Sequence, residues 1–72
     1  MYTWARVAND LAGRIESGEF APGSMLPGER ALAEEYGIAV GTVRRVLVDL
    51  RERDLIVTLP SLGTFVRVRR TD

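Results

Sequence analysis

Apolar residues recur at helical spacing in three places along the chain. Trp4, Val7, Ala8, Leu11 and Ile15 define one face of a first helix, with Thr3 placed to cap it and Gly18 to stop it. "GEFAPGSMLPGE" then gathers glycines and prolines into a loop, within which Met25-Leu26 is placed to form a very short strand. A second helix is expected from Glu29, whose carboxylate suits the positive end of the helix dipole. Leu32, Ala33 and Tyr36 give it an inner face, and Gly37 ends it. So short a helix is not stable alone and must be held by its neighbours.

The third helix is expected from Gly41 to Arg53. Val43, Val46, Leu47 and Leu50 fall at i, i+3, i+4 and i+7, a buried stripe. The opposite face carries Gly41, Arg45, Val48 and Glu52, with Thr42 and Arg44 on the flanks. After it the period changes. "LIVTLP" (55–60) and "TFVRVRR" (64–70) read as two strands joined by the turn Pro60-Ser61-Leu62-Gly63. In the second strand Phe65, Arg67 and Arg69 share one side, and Thr64, Val66 and Val68 the other.

The pattern amounts to one mostly α domain with a small β-hairpin, spanning residues 1–72. A domain of 72 residues is marginal on its own, which points to very good packing or to oligomerisation. With no cysteine and no histidine, disulfides and Cys/His metal sites are excluded, and no calcium-loop pattern is present. No apolar run approaches the roughly 20 residues of a membrane span, and the N-terminus lacks the pattern of a secretion signal. The expected location is the cytoplasm. Enzymatic chemistry is not expected. There is no histidine for general base work, Ser17, Ser24 and Ser61 have no activating partner nearby, and the absence of lysine excludes a P-loop. No cofactor is implied.

The net charge is zero, which by itself speaks mildly against a nucleic-acid partner, but its distribution is uneven. Residues 1–37 hold three arginines against six carboxylates, net −3, whereas residues 38–72 hold seven against four, net +3. Such asymmetry fits an anionic partner or a merely uneven solvated surface. Two helices joined by a Gly-marked turn, with polar and basic residues early in the second, form a helix-turn-helix arrangement. A major groove about 12 Å wide admits one such helix, and a following hairpin is a wing able to reach the adjacent groove or backbone. Arg44 and Arg45 lie outside the core near that helix's N-terminus and are the first candidates for DNA contact.

The run "PGSMLPGERALAEEYGIAVGTVRRVLVDL" and the closing "GTFV" resemble the winged helix-turn-helix domain of GntR-type bacterial transcription regulators, from Tyr2 to Val68. The family pattern has Pro-Gly, then Leu-Pro-Ser-Glu-Arg, an apolar helix, Val-Ser-Arg-x-Thr-Val-Arg, and Gly-x-Gly-Thr-Phe-Val at the wing. The resemblance implies three helices with a two- or three-stranded wing, and a repressor or activator that reads an inverted repeat in double-stranded DNA as a homodimer. It also implies DNA contact by Arg30, by Thr42 and Arg44, and by Gly63 at the wing tip. GntR-type regulators carry a second, effector-binding domain; none is expected within these 72 residues.

Secondary candidates at the same surface are Ala39, Val40, Gly41, Leu62 and Arg67. Several of them depart from the family pattern. Gly28 and Ala39 replace residues that cap helices, Val40 replaces an arginine that commonly reads bases, and Ser61 and Leu62 alter the wing tip. Asp54 stands where a glycine usually ends the third helix, a position Asp tolerates better than most. DNA binding is the expected function; Ala39, Val40 and Leu62 are the features that favour the alternative, a winged helix used as a protein-interaction module. Each arginine also has a bland reading: Arg30 stands four residues before Glu34, at ion-pair spacing, Arg44 has carboxylates within reach along its own helix, and Arg45, Arg67, Arg69 and Arg70 suit a solvated surface.

Overall fold

The computed structural model describes residues 3–68. Its elements are α1 (Trp4–Glu16), α2 (Glu29–Tyr36), α3 (Val40–Glu52), β1 (Ile56–Leu59) and β2 (Gly63–Val66). Arg69 and Arg70, read as the end of the second strand, and Tyr2, read as the start of the family resemblance, lie outside the described residues.

The start of α1 and the ends of α2 and α3 each have a local reason. The Thr3 hydroxyl accepts the Arg6 amide at 3.2 Å and caps α1. Gly37 at φ 65 closes α2, and Ile38 N–H then reaches back to the Ala33 carbonyl at 3.0 Å. The third helix ends the same way on a non-glycine residue. Asp54 takes φ 60, its amide donates to the Arg51 carbonyl, and Leu55 N–H donates to the Leu50 carbonyl at 3.0 Å.

The strands are shorter than the alternating pattern predicts. Leu55 is committed to closing α3, and Pro60 enters the turn, so β1 keeps only four residues. Strand β2 stops at Val66 rather than running to 70, although Arg67 N–H still donates to the Leu55 carbonyl. The register pairs Ile56 with Val66, Val57 with Phe65, Thr58 with Thr64 and Leu59 with Gly63. Met25 bridges Phe65 antiparallel on the free edge of β2, and Leu26 N–H donates to the Thr64 carbonyl at 2.8 Å. In place of the expected short strand, Met25-Leu26 thus forms an isolated bridge beside the two-stranded wing.

The core is the shared interior of all these elements. Leu11 of α1, Leu32 of α2, and Val46 and Leu50 of α3 are essentially inaccessible, and Leu26, Ile56 and Val66 close it from the wing side. Arg51 pins the wing to α3 by donating to the Thr58 hydroxyl at 2.8 Å. Arg53 pins α3 to α1, pairing with Asp49 at 2.8 Å and donating to Asn9 at 2.8 Å.

A polar network on the far side ties α1 to α2. Arg14 donates to the Tyr36 hydroxyl at 2.8 Å, to Glu19 at 2.7 Å and to Glu35, and its guanidinium lies 4.5 Å from the Phe20 ring centre. Burial opposes its charge, but these hydrogen bonds outweigh it, so the pKa of Arg14 is raised. Tyr36 in turn donates to Asp10. Burial, and then that bond to Asp10, push the phenol from 10.0 up to about 12, against the pull of Arg14. The fold thus favours the neutral phenol. Its contribution is complete below pH 10 and is lost as pH rises through about 12. Melting temperature is expected to fall across that window, and Tyr36→Phe to flatten the fall; a profile as steep in the variant would place the cause elsewhere.

Among the described residues, no helix is long and apolar enough to cross a membrane.

Candidate nucleic-acid interface

The N-terminal turns of α2 and α3 meet at one surface, and an ion pair fixes how they meet. Arg44 Nε lies 3.1 Å from Glu29 Oε1, joining the first turn of α2 to the second turn of α3. Both groups are exposed, the Arg44 side chain by 67%. A pair so open to water is worth about 0.2–1 kcal/mol, so a phosphate or base edge can displace it. The carboxylate partner of Arg44 is on another helix and not on its own.

Arg30, next to Glu29, is exposed and has no carboxylate partner among the described residues; the pair with Glu34 does not form. Arg45 is exposed on the outer face of α3, with its guanidinium carbon 4.3 Å from the centre of the Trp4 ring. Thr42 is half-buried in the first turn, and Gly41 is exposed with open space where a side chain would stand.

Helix α3 starts one residue earlier than its periodicity suggests, at Val40, with Ala39 as its cap residue. Ala39 has extended φ and ψ of −71° and 151° but no side chain able to accept a bond. The amides of Val40 and Gly41 therefore have no acceptor within the described residues, and exposed helix-start amides of this kind favour anions. Val40 itself is half-buried against the core and is not freely presented. Because the backbone at residue 39 already has cap geometry, Ala39→Ser is expected to stabilise the domain by about 1 kcal/mol. The check is the denaturant midpoint, and an unchanged midpoint would show that the hydroxyl does not reach the helix amides.

The wing tip lies beside this surface. Met25, Pro27, Gly28, Glu29, Leu47, Gly63 and Thr64 line one shallow depression, which puts the start of β2 against the start of α2. Gly63 has φ 128, and a Cβ there would stand 3.3 Å from the Met25 sulfur. Conformation and space both select glycine. Ser61 takes φ 67, and Leu62 is 66% exposed at the tip. Arg67 is not part of this group. It pairs with Asp54 at 3.3 Å, beyond the C-terminal end of α3, about 20 Å along the helix from Ala39.

Two contacts at this surface escape sequence reasoning. Glu29–Arg44 and Trp4–Arg45 join residues 15 and 41 positions apart, and neither spacing belongs to any local pattern. The one available hint is that Trp4, at the tip of the apolar stripe of α1, is larger than a helix end needs.

Residues 3–66 match the family described as bacterial regulatory proteins, gntR family. The mannosyl-D-glycerate transport/metabolism system repressor MngR of Escherichia coli is 33% identical over 69 residues, covering 96% of this chain and 29% of that protein. The transcriptional repressor NagR of Bacillus subtilis is 39% identical over 61 residues, covering 85% of this chain and 25% of that protein. The chain thus spans little more than a quarter of the length of these curated relatives. Among solved structures, the DNA-binding domain of AraR in complex with operator ORR3 superposes with a TM-score of 0.84 at 27% identity, covering 92% of this chain and 80% of that one. The helix order, the turn between α2 and α3, the hairpin wing and these matches place the chain in the GntR family of bacterial regulatory proteins, as a winged helix-turn-helix domain.

Proposed function

We propose that this domain reads double-stranded DNA for a transcriptional regulator, with α3 in the major groove and the wing at the adjacent groove or backbone. The observation that carries the reading is the uncapped start of α3 with exposed Arg44 and Arg45 in its second turn, joined by Glu29–Arg44 to the first turn of α2, where Arg30 is exposed. Two of these cations lack a carboxylate partner and the third holds a weak one, in a fold shared with an operator-bound domain. Arg44 and Thr42 face base edges. Arg30, the amides of Val40 and Gly41, and the backbone at Gly63 face phosphate and the groove wall. The zero net charge of the chain is no obstacle, because it averages a net −3 over residues 1–37 and a net +3 over residues 38–72, which hold α3 and the wing.

The regulator acts in the cytoplasm on an inverted repeat, with one copy of the domain on each half-site. The symmetry of such a site mirrors the two-fold symmetry of a protein pair. The test is selection from random duplexes at low salt followed by sequencing. Recovery of an inverted repeat supports the whole reading, and single half-sites support reading by one copy at a time. Retention without enrichment leaves the arginines as phosphate contacts only. No retention at any salt overturns DNA binding and leaves an interaction module.

A further inference from the structure

We propose that Trp4 is a positioning residue for DNA binding: its indole holds Arg45 in place to grip a backbone phosphate of the bound duplex. The proposal rests on the DNA-binding reading above. Arg44, the adjacent arginine on α3, has a carboxylate partner in Glu29. Arg45 has none among the described residues; what it has is an aromatic face 4.3 Å away. This difference matters. A carboxylate neutralises a guanidinium and occupies its N–H groups, whereas a ring takes only the flat face of the ion. The charge and the in-plane fork of donors stay free for an anion.

The ring is a firm support. Trp4 is half-buried and packs against the core from the first turn of α1, so Arg45 loses rotamer freedom before DNA arrives. Stacking draws Arg45 off the crest of α3 toward α1. Gly41 lies one turn back on the same face, with its bare amide and open space beside it. The free fork of Arg45 and the uncapped helix start thus stand one turn apart on α3.

The test is a double-mutant cycle of Trp4→Leu and Arg45→Ala, with affinity for the selected duplex measured across a range of salt. Trp4→Leu is expected to weaken binding about two- to fivefold. Arg45→Ala is expected to lower the salt exponent by about one. The double variant should bind like Arg45→Ala alone, and Trp4→Phe should recover most of the affinity. Equal Trp4→Leu losses with and without Arg45 would overturn the proposal. So would a lowered melting temperature with unchanged affinity and exponent, since that is a packing role only. Trp4 is the only tryptophan of the chain, which gives a readout on the unmutated protein. Duplex should alter its emission, and the change should vanish in Arg45→Ala; a change that persists there counts against the stack. If the unmutated domain binds no duplex, the DNA-binding reading fails first; if it binds and the cycle is additive, only the role of Trp4 falls.

Discussion

Arg44→Ala is expected to weaken binding to the selected duplex about tenfold to a hundredfold while leaving the fold intact. A bidentate contact between an arginine and a base edge carries about 1–3 kcal/mol of discrimination. Arg44 is the exposed arginine in the second turn of α3 whose fork is held from the side by Glu29 at 3.1 Å. That pair costs little to break, so nearly all of the contact with DNA appears as affinity. Its removal also leaves Glu29 as an uncompensated negative charge at the same surface, which adds to the loss. Arg44→Lys separates charge from geometry. It keeps the phosphate attraction and loses the planar fork, so it should retain binding to random duplex while losing preference for the selected one. Fluorescence anisotropy with both duplexes measures each term. Unchanged affinity for the selected duplex in Arg44→Ala would remove Arg44 from the interface.

How much of this was legible beforehand depends on the range of each contact. The seam of α3 is local in sequence, and Val43, Val46, Leu47 and Leu50 are buried as their spacing requires. Capping by Thr3, the stop at Gly37 and the left-handed turn at Asp54 are also local, and each could be argued from one or two residues. Strand ends were less legible because Leu55 has two roles. Its alternation fits a strand, while its amide is needed to close α3. Least legible were contacts between distant side chains. Nothing around Arg14 announces that it will join Glu35 and Tyr36, and nothing around Arg45 announces Trp4. Arg44 and Arg45 could be assigned to the outer side of α3 from periodicity, but their partners could not. Those partners distinguish Arg45, stacked and uncompensated, from Arg67, which is paired with Asp54 at the other end of α3.

Helix α3 has two faces with separate tasks, and Leu50→Ala tests the inner one. Leu50 has no exposed surface and belongs to the core shared by the helices and the wing. Truncating a buried leucine costs about 2–5 kcal/mol, because a cavity is left as well as lost burial. A domain of 72 residues has a total stability of about 4–11 kcal/mol. The melting temperature should fall by about 10–30 °C, enough to populate the unfolded chain near physiological temperature. DNA binding should then be lost on warming and regained on cooling, in step with the helical signal by circular dichroism. At a temperature where the variant is fully folded, its affinity and salt exponent should equal those of the unmutated domain, since no group at the interface has changed. Arg44→Ala should show the reverse, with weak binding at every temperature and a nearly unchanged melt. A Leu50→Ala variant that is fully folded yet binds weakly would show that core packing sets the alignment of α3 in the groove, and that the two faces are coupled.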